Sequence, residues 1–349
     1  MAPIEHLTTP PGKTAQAYVL PCYSGELWTI PTSNSTMRLL VTGKETDNAF
    51  AILGTGGTFD KPIGFHFHKE AHDVFLCLKG KINVWANDKA RSLGPGDFAS
   101  VPPGTVHQYQ MDSAHTEFVG LIIPGGWEEF FRFIGEPYVG PLFPTNDRRN
   151  PFEVLIPKLM AAAEKFDMIP VRDKAQFDPQ PWDGSEEKLP GACEDGGYFL
   201  KEGKGDKWEV GGTVVRPLAT RKETKGRFSI YSLEGSSIHA AKGMSQDLEF
   251  KETHHAVFTV EGVLKLKIDG AEVSTTAGET TFVPAGTKWS FGVSSTYARA
   301  YVFANGGGIG EVLTSVGSKY ESPIVPGETA AWDESKLKTL EAELKFAVL

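Results

Sequence analysis

Lys69-Glu70-Ala71-His72-Asp73-Val74-Phe75 and Lys251-Glu252-Thr253-His254-His255-Ala256-Val257 are two versions of one segment, 182 positions apart (His254 against His72). The same offset carries Gly80 to Gly262 and Gly96-Asp97 to Gly278-Glu279. It also carries Val101-Pro102-Pro103-Gly104-Thr105 to Val283-Pro284-Ala285-Gly286-Thr287. Upstream, Lys44-Glu45-Thr46 matches Lys222-Glu223-Thr224 at an offset of 178, so about four residues were inserted between the two matches. An ordered series of this kind is the signature of a tandem duplication.

Each copy reads as β structure. Asp73 to Leu78 and Lys81 to Trp85 flank Lys79-Gly80, and Ala256 to Val260 and Val263 to Ile268 flank Glu261-Gly262. Asp269-Gly270 is a strong two-residue hairpin signal leading into Ala271 to Thr275. Thirty-eight glycines and 23 prolines in 349 residues, mostly between short strand-like runs, favour an all-β chain built as sandwiches or barrels. Between the copies the texture changes. Gly126 to Phe133 has a helical look, and Asn150-Pro151-Phe152-Glu153 resembles a helix start with Asn as N-cap and Pro at the first helical position. Leu155, Leu159, Ala162, Ala163 and Phe166 follow at helical spacing, and residues 167–195 read as irregular linker. Asp333 to Phe346 predicts an amphipathic helix that docks on a barrel or on a partner subunit.

A net charge of -9 argues against nucleic acid or an anionic membrane as partner. No run approaches the roughly 20 apolar residues that span a bilayer. The N-terminal stretch carries Glu5 and three prolines where a signal peptide needs an apolar block. Cys22, Cys77 and Cys193 are too few and too scattered for a disulfide framework, so a cytoplasmic setting is expected.

The chemistry concentrates in the first copy. His66, His68, His72 and His107 are four of only nine histidines in the chain. On a strand, residues i and i+2 face the same way, which sets His66 beside His68. His107 follows the turn Pro102-Pro103-Gly104-Thr105, which returns the chain towards an earlier strand. Clustered imidazoles are costly to bury unless a metal ion or a carboxylate satisfies their nitrogens. Three imidazoles and a carboxylate suit Fe, Cu, Ni, Mn or Zn, without choosing among them.

These residues resemble the two motifs of the cupin superfamily. The first runs His-x-His, three or four residues, Glu, six residues, Gly; here it is His66-Phe67-His68, Asp73 and Gly80. The second runs Gly-Asp, Pro-x-Gly, two residues, His; here it is Gly96-Asp97, Pro102-Pro103-Gly104 and His107. The whole chain is similar to the fungal quercetin 2,3-dioxygenases. The resemblance implies two jelly-roll cupin barrels in tandem, with a helical, loop-rich linker and a C-terminal helix. The domains expected are 1–145, a metal-binding barrel; 146–205, the linker; and 206–349, a metal-free barrel with its terminal helix. It implies one divalent transition metal per chain (Fe, Cu, Ni or Mn, with Zn able to occupy a purified sample) held by His66, His68, Asp73 and His107. It further implies a homodimer and a dioxygenase that cleaves an oxygenated ring of a flavonol-like or other polyphenolic or polyketide substrate with O2. The alternatives are a metal-dependent isomerase, cyclase or hydrolase on a similar aromatic substrate, and a non-catalytic bicupin binding protein.

One departure matters. The family's glutamate, both ligand and base, is replaced by Asp73, one methylene shorter, so Asp73 still ligates, or stands back from the metal as a base, or yields to Glu70. His72 is expected at the rim of the site or just behind its ligands. In the second copy His66, His68, Asp73 and His107 map to Leu248, Phe250, His255 and Trp289, which cannot hold a metal. Phe65, Phe67, Phe75, Trp85, Phe98 and Tyr109 lie near the ligands in sequence, and some of them must face an interior cavity suited to a flat, hydroxylated aromatic substrate.

Overall fold

A computed structural model describes residues 3–329 and 331–349. The chain divides into two units, Ser24–Lys204 and a second made of Gly205–Leu349 together with the chain up to Tyr23. Each is a jelly-roll sandwich of two facing sheets, antiparallel apart from the parallel pair Glu5–His6 and Tyr18–Leu20 in the second unit, and neither closes into a continuous ring of strands.

In the unit Ser24–Lys204, the larger sheet runs in the order Glu136–Pro137, Glu26–Thr29, Ser35–Val41, Ala51–Gly57, Thr116–Ile123, His72–Lys79, Phe98–Val101, Tyr198–Leu200. The smaller sheet runs Ile169–Pro170, His66–Phe67, His107–Met111, Ile82–Ala86, Lys89–Leu93. Asp73 therefore comes from one sheet and the three site histidines from the other or its edge. Buried Phe75, Val84, Val101, Met111 and Phe118 knit the two faces together.

The other unit repeats this plan. Thr280–Val283, His255–Glu261, Ala298–Asn305 and Phe228–Gly235 stand in its larger sheet, and Val263–Ile268, Lys288–Val293 and Leu248–Phe250 in its smaller one. Leu248 faces Trp289 in this register, just as His66 faces His107 in the first unit. Asp269 and Gly270 both take positive φ (46° and 79°), the geometry a tight hairpin between Ile268 and Ala271 requires.

The expected boundaries need a correction at both ends of the first unit. Tyr18–Leu20 precedes the first copy but pairs with Thr280–Val283, so Glu5–His6 and Tyr18–Leu20 belong to the second unit's sheet rather than to a domain 1–145. Tyr198–Leu200, placed in the linker by its sequence, pairs with Phe98–Val101 and completes the first unit's sheet. A match at an offset of 180, Tyr18-Val19-Leu20 against Tyr198-Phe199-Leu200 with Trp28 against Trp208, marks the exchange. Each strand closes the same sheet edge, Phe98 and Thr280 being 182 apart like the rest of the repeat.

The linker and the tail are also counterparts. Asn150 caps Pro151–Val154 by accepting from the Phe152 N–H, and a second helix, Ile156–Ala162, follows a break at Leu155. The chain then pairs Ile169–Pro170 with Phe67 and His66. The tail does the same with the helix Ser335–Leu344 and the strand Phe346–Val348 against Leu248–Phe250. Leu337, Leu344 and Phe346 are buried in that unit's own core, so the amphipathic stripe is spent within the chain. The three cysteines form no disulfide. No helix among the described residues is long and apolar enough to cross a membrane.

Candidate metal centre

His66, His68 and His107 converge. Their ligand nitrogens lie within 4.8 Å of one another, and their ring centroids are 5.1, 4.3 and 5.2 Å apart. Each ring is aimed by the same device, a bond from Nδ1 to a backbone carbonyl. His66 bonds Gly64 O at 2.9 Å, His107 bonds Thr105 O at 2.9 Å, and His68 bonds the carbonyl of Asp167. With Nδ1–H donating, each neutral ring presents the Nε2 lone pair to the centre.

Asp73 joins them from the facing sheet. Its Oδ2 lies 3.1 Å from His107 Nε2 and 3.3 Å from His68 Nε2, while its buried Oδ1 has no hydrogen-bond partner. Carboxylate and imidazole lone pairs pointed at one another repel unless a cation, proton or metal, sits among them. The donor set therefore fits a metal ion, and the orphaned Oδ1 is a further oxygen donor.

The electrostatics agree. Burial pulls His66 down to about 3, helped by the neighbouring His107 and His68, so this ring is neutral at physiological pH. Burial also opposes charge on His68, but the Asp73 carboxylate and the Asp167 carbonyl reverse it and raise His68 above its ordinary value. Burial would raise Asp73, yet its bonds and charge interactions with His68 and His107 hold it well below the usual carboxylate range.

Glu70 does not join this group. Its side chain is exposed and outside the cavity lining, because it sits in the turn between His66–Phe67 and His72–Lys79; its backbone N–H donates to Asp167. His72 is buried on the face of its strand opposite Asp73, with Nε2 2.7 Å from Ser100 Oγ, so it is a core histidine rather than a rim one. Asp167 was not singled out by sequence. Nothing in the irregular linker distinguishes it from the other aspartates around it.

The four residues stand on the wall of a cavity of about 730 Å³, within the range of organic-ligand sites. Of the aromatics expected there, Phe65, Phe75 and Tyr109 line it, whereas Trp85 and Phe98 are buried elsewhere, Trp85 donating to Phe177 O. Phe118 completes a cluster with Phe75 and Tyr109, and Phe130 and Phe131 enter from the helix Glu128–Ile134 with Trp127 at its N-cap. The linker supplies a further part of the wall through Leu155, Leu159, Met160 and Met168.

In the second unit the equivalent space is filled. Leu248, Phe250 and Trp289 are buried against Phe346 and Leu344. His255, in the place of Asp73, packs on Phe250 and Trp289 and accepts the N–H of Ile309. His254 points the other way, where its Nδ1 accepts from Ala285 N–H.

A two-sheet jelly roll with this His-x-His, carboxylate and His arrangement across its interior defines a cupin. The chain carries a cupin domain and, as a two-unit chain, resembles the bicupin quercetin 2,3-dioxygenases. A Cupin domain model matches residues 55–123, and a model described as Ethanolamine utilisation protein EutQ matches residues 245–305. Quercetin 2,3-dioxygenase of Bacillus subtilis is 35% identical over 147 residues, which are 42% of this chain and 43% of that protein. Quercetin 2,3-dioxygenase of Aspergillus japonicus is 25% identical over 325 residues, covering 83% of this chain and 90% of that one. Among solved structures, the E. coli protein Ylba superimposes with a TM-score of 0.52 at 12% identity over 86% of this chain and 93% of its own. A B. subtilis oxalate decarboxylase variant gives 0.51 at 14% identity over 85% and 79%. These two likenesses show the fold. Kinship with quercetin dioxygenases and the donor set together mark a cupin metalloenzyme.

Proposed function

We propose that the chain is a metal-dependent dioxygenase that cleaves an oxygenated ring of a flavonol-like or other polyphenolic or polyketide substrate with O2. The observation that carries this reading is the meeting of three imidazoles and one carboxylate at the wall of an aromatic-lined cavity. His66, His68, His107 and Asp73 would hold one divalent transition metal, Fe, Cu, Ni or Mn. Such an ion, when bound, lowers the pKa of a coordinated hydroxyl and shares its electron density.

The chain's own residues do the remaining work. Asp73 is ionised across the neutral range, and its carboxylate on the cavity wall is the acceptor for the proton of a phenolic or enolic hydroxyl. Phe75, Tyr109 and Phe118, with centroids 5.2–5.9 Å apart, offer faces and edges to a flat ring. Burial pushes the Tyr109 phenol above its ordinary value, which keeps it a hydrogen-bond donor. The apolar side chains of the linker wall offer a surface for the rest of a flat aromatic substrate.

The test is elemental analysis of purified protein joined to a screen of flavonols and related polyphenols with and without O2. About one metal per chain and substrate-dependent O2 uptake are expected. A protein free of metal, or turnover that proceeds without O2, overturns the reading.

A further inference from the structure

One linker residue, Asp167, grips both a metal-site histidine and the turn that follows it. We infer that Asp167 is a positioning residue: it sets the orientation of His68, and so ties the affinity of the metal centre to the seating of residues 151–170 on the cavity. The inference rests on the metal reading above.

The contacts are specific. The Asp167 carbonyl takes the Nδ1–H of His68, 99 residues away in sequence. Its carboxylate accepts the backbone N–H of Lys69 at 2.8 Å and of Glu70 at 2.7 Å, with a longer contact of 3.4 Å to Ala71 N. These bonds, together with His68, hold Asp167 below the usual carboxylate range although burial works against them. A carbonyl on Nδ1 fixes the tautomer and ring plane of a ligating histidine and makes its Nε2 more basic. Every residue type has that carbonyl. What the aspartate adds is a pair of charge-assisted bonds that pin it where the ring needs it.

The same residue belongs to the cavity's cover. Met168 beside it lines the cavity, as do Leu159, Met160 and Ala163 before it, and Ile169–Pro170 after it pairs with Phe67 and His66. Seating of the cover and aim of the ring are therefore set by one residue.

The second unit supplies the internal comparison. There the counterpart of His68 is Phe250, which has no nitrogen to aim. The N–H of Lys251, in the place of Lys69, donates to the backbone carbonyl of Lys345 at 3.0 Å, and the Lys345 ammonium pairs with Glu252. Tail and turn are joined in both units, but the carboxylate clamp and the ring contact occur where the ring is a histidine. A residue needed only to close the turn would not have to be acidic.

The experiment uses the full chain, stripped of metal with a chelator and titrated with Co2+ in competition with an indicator chelator, while the cobalt d–d spectrum is recorded. Asp167→Ala is expected to weaken Co2+ binding about 10–100-fold and to shift the d–d bands. It is also expected to speed amide exchange across 151–170. Asp167→Asn, which keeps an acceptor oxygen, recovers part of the affinity, and Lys345→Ala, the matched change in the second unit, alters neither affinity nor spectrum. Wild-type affinity and spectrum in Asp167→Ala would overturn the inference, as would an equal loss in Lys345→Ala. If wild type takes no Co2+, or His66→Ala and His107→Ala bind it as tightly as wild type, the metal reading itself falls and this inference with it.

Discussion

Asp73→Asn separates the two duties of the carboxylate, holding an ion and accepting a proton. The amide nearly matches the carboxylate in shape, so the main-chain pairing of Asp73 with Val101 and Ile122 is left in place. An oxygen can still occupy the position 3.1 Å from His107 Nε2 and 3.3 Å from His68 Nε2, but neither charge nor base remains. Three imidazoles suffice to retain a transition metal, so the ion survives at reduced affinity. Turnover should drop by about 10²–10⁴, the usual worth of a positioned general base, equal to about 2.7–5.4 kcal/mol of barrier at 1.36 kcal/mol per decade. The assay is O2 uptake with the best substrate of the screen, at matched metal content, with Asp73→Glu as the arm that keeps a carboxylate. Turnover within about threefold of wild type in metal-loaded Asp73→Asn would refute the assignment of Asp73 as base.

Three further outcomes are expected. In the metal-free protein His68, raised by Asp73, holds a proton that must leave before its Nε2 can bind an ion. Co2+ affinity should therefore climb about tenfold per pH unit below the His68 pKa and level off above it, and a flat profile between about pH 6 and 8 would contradict the arrangement. In the second unit, burial lowers His255 to about 3 against an unfolded value of about 6.5. As pH drops through that window the unfolded chain takes up a proton that the folded chain refuses, so stability is lost by up to about 1.4 kcal/mol per pH unit. His255→Gln, which keeps an acceptor for the Ile309 N–H, should flatten this loss; equal pH slopes of denaturant unfolding in variant and wild type would count against it. Leu159→Trp enlarges a side chain on the linker wall of the cavity and should raise KM for a bulky polyphenol while metal content holds. Lost metal with unchanged KM would show that the wall had been misassigned.

The duplication was legible because it is written in turn residues, and turns tolerate little change: Gly80 and Gly262, and Gly104 and Gly286, take the same positive φ in the two copies. The site histidines were legible because strand alternation and the Pro-x-Gly turn place them. The cover was not. Trp127 and Phe130, and Leu159 and Met168 of the linker, reach the cavity through tertiary docking of segments whose sequence shows helical spacing but not what they pack against. Asp167 was invisible for the same reason, its partners lying 96 to 99 residues away. The exchange of Tyr18–Leu20 and Tyr198–Leu200 escaped because strand patterning reports that a strand exists and is silent on which sheet receives it.

One frame used twice shows why loss of a metal site and loss of a cavity go together. His66 and His107 face each other across a strand pair in one unit, and Leu248 and Trp289 do so in the other. Imidazole ligands are small and polar, and they leave room in front of them for an ion and its substrate. Leucine, phenylalanine and tryptophan at the same positions occupy that room, and Phe346 and Leu344 of the tail close over them. Burying Trp289, Phe250 and Leu248 contributes several kcal/mol of the kind an open cavity forgoes, at roughly 1.5–3 kcal/mol for each fully buried aliphatic or phenylalanine side chain. The second unit thus has the packed core that the first gives up to its site. The cover follows the same division: its tail version is part of the core, whereas its linker version lies on an open cavity and depends on discrete polar anchors, among them Asp167 on the ring of His68.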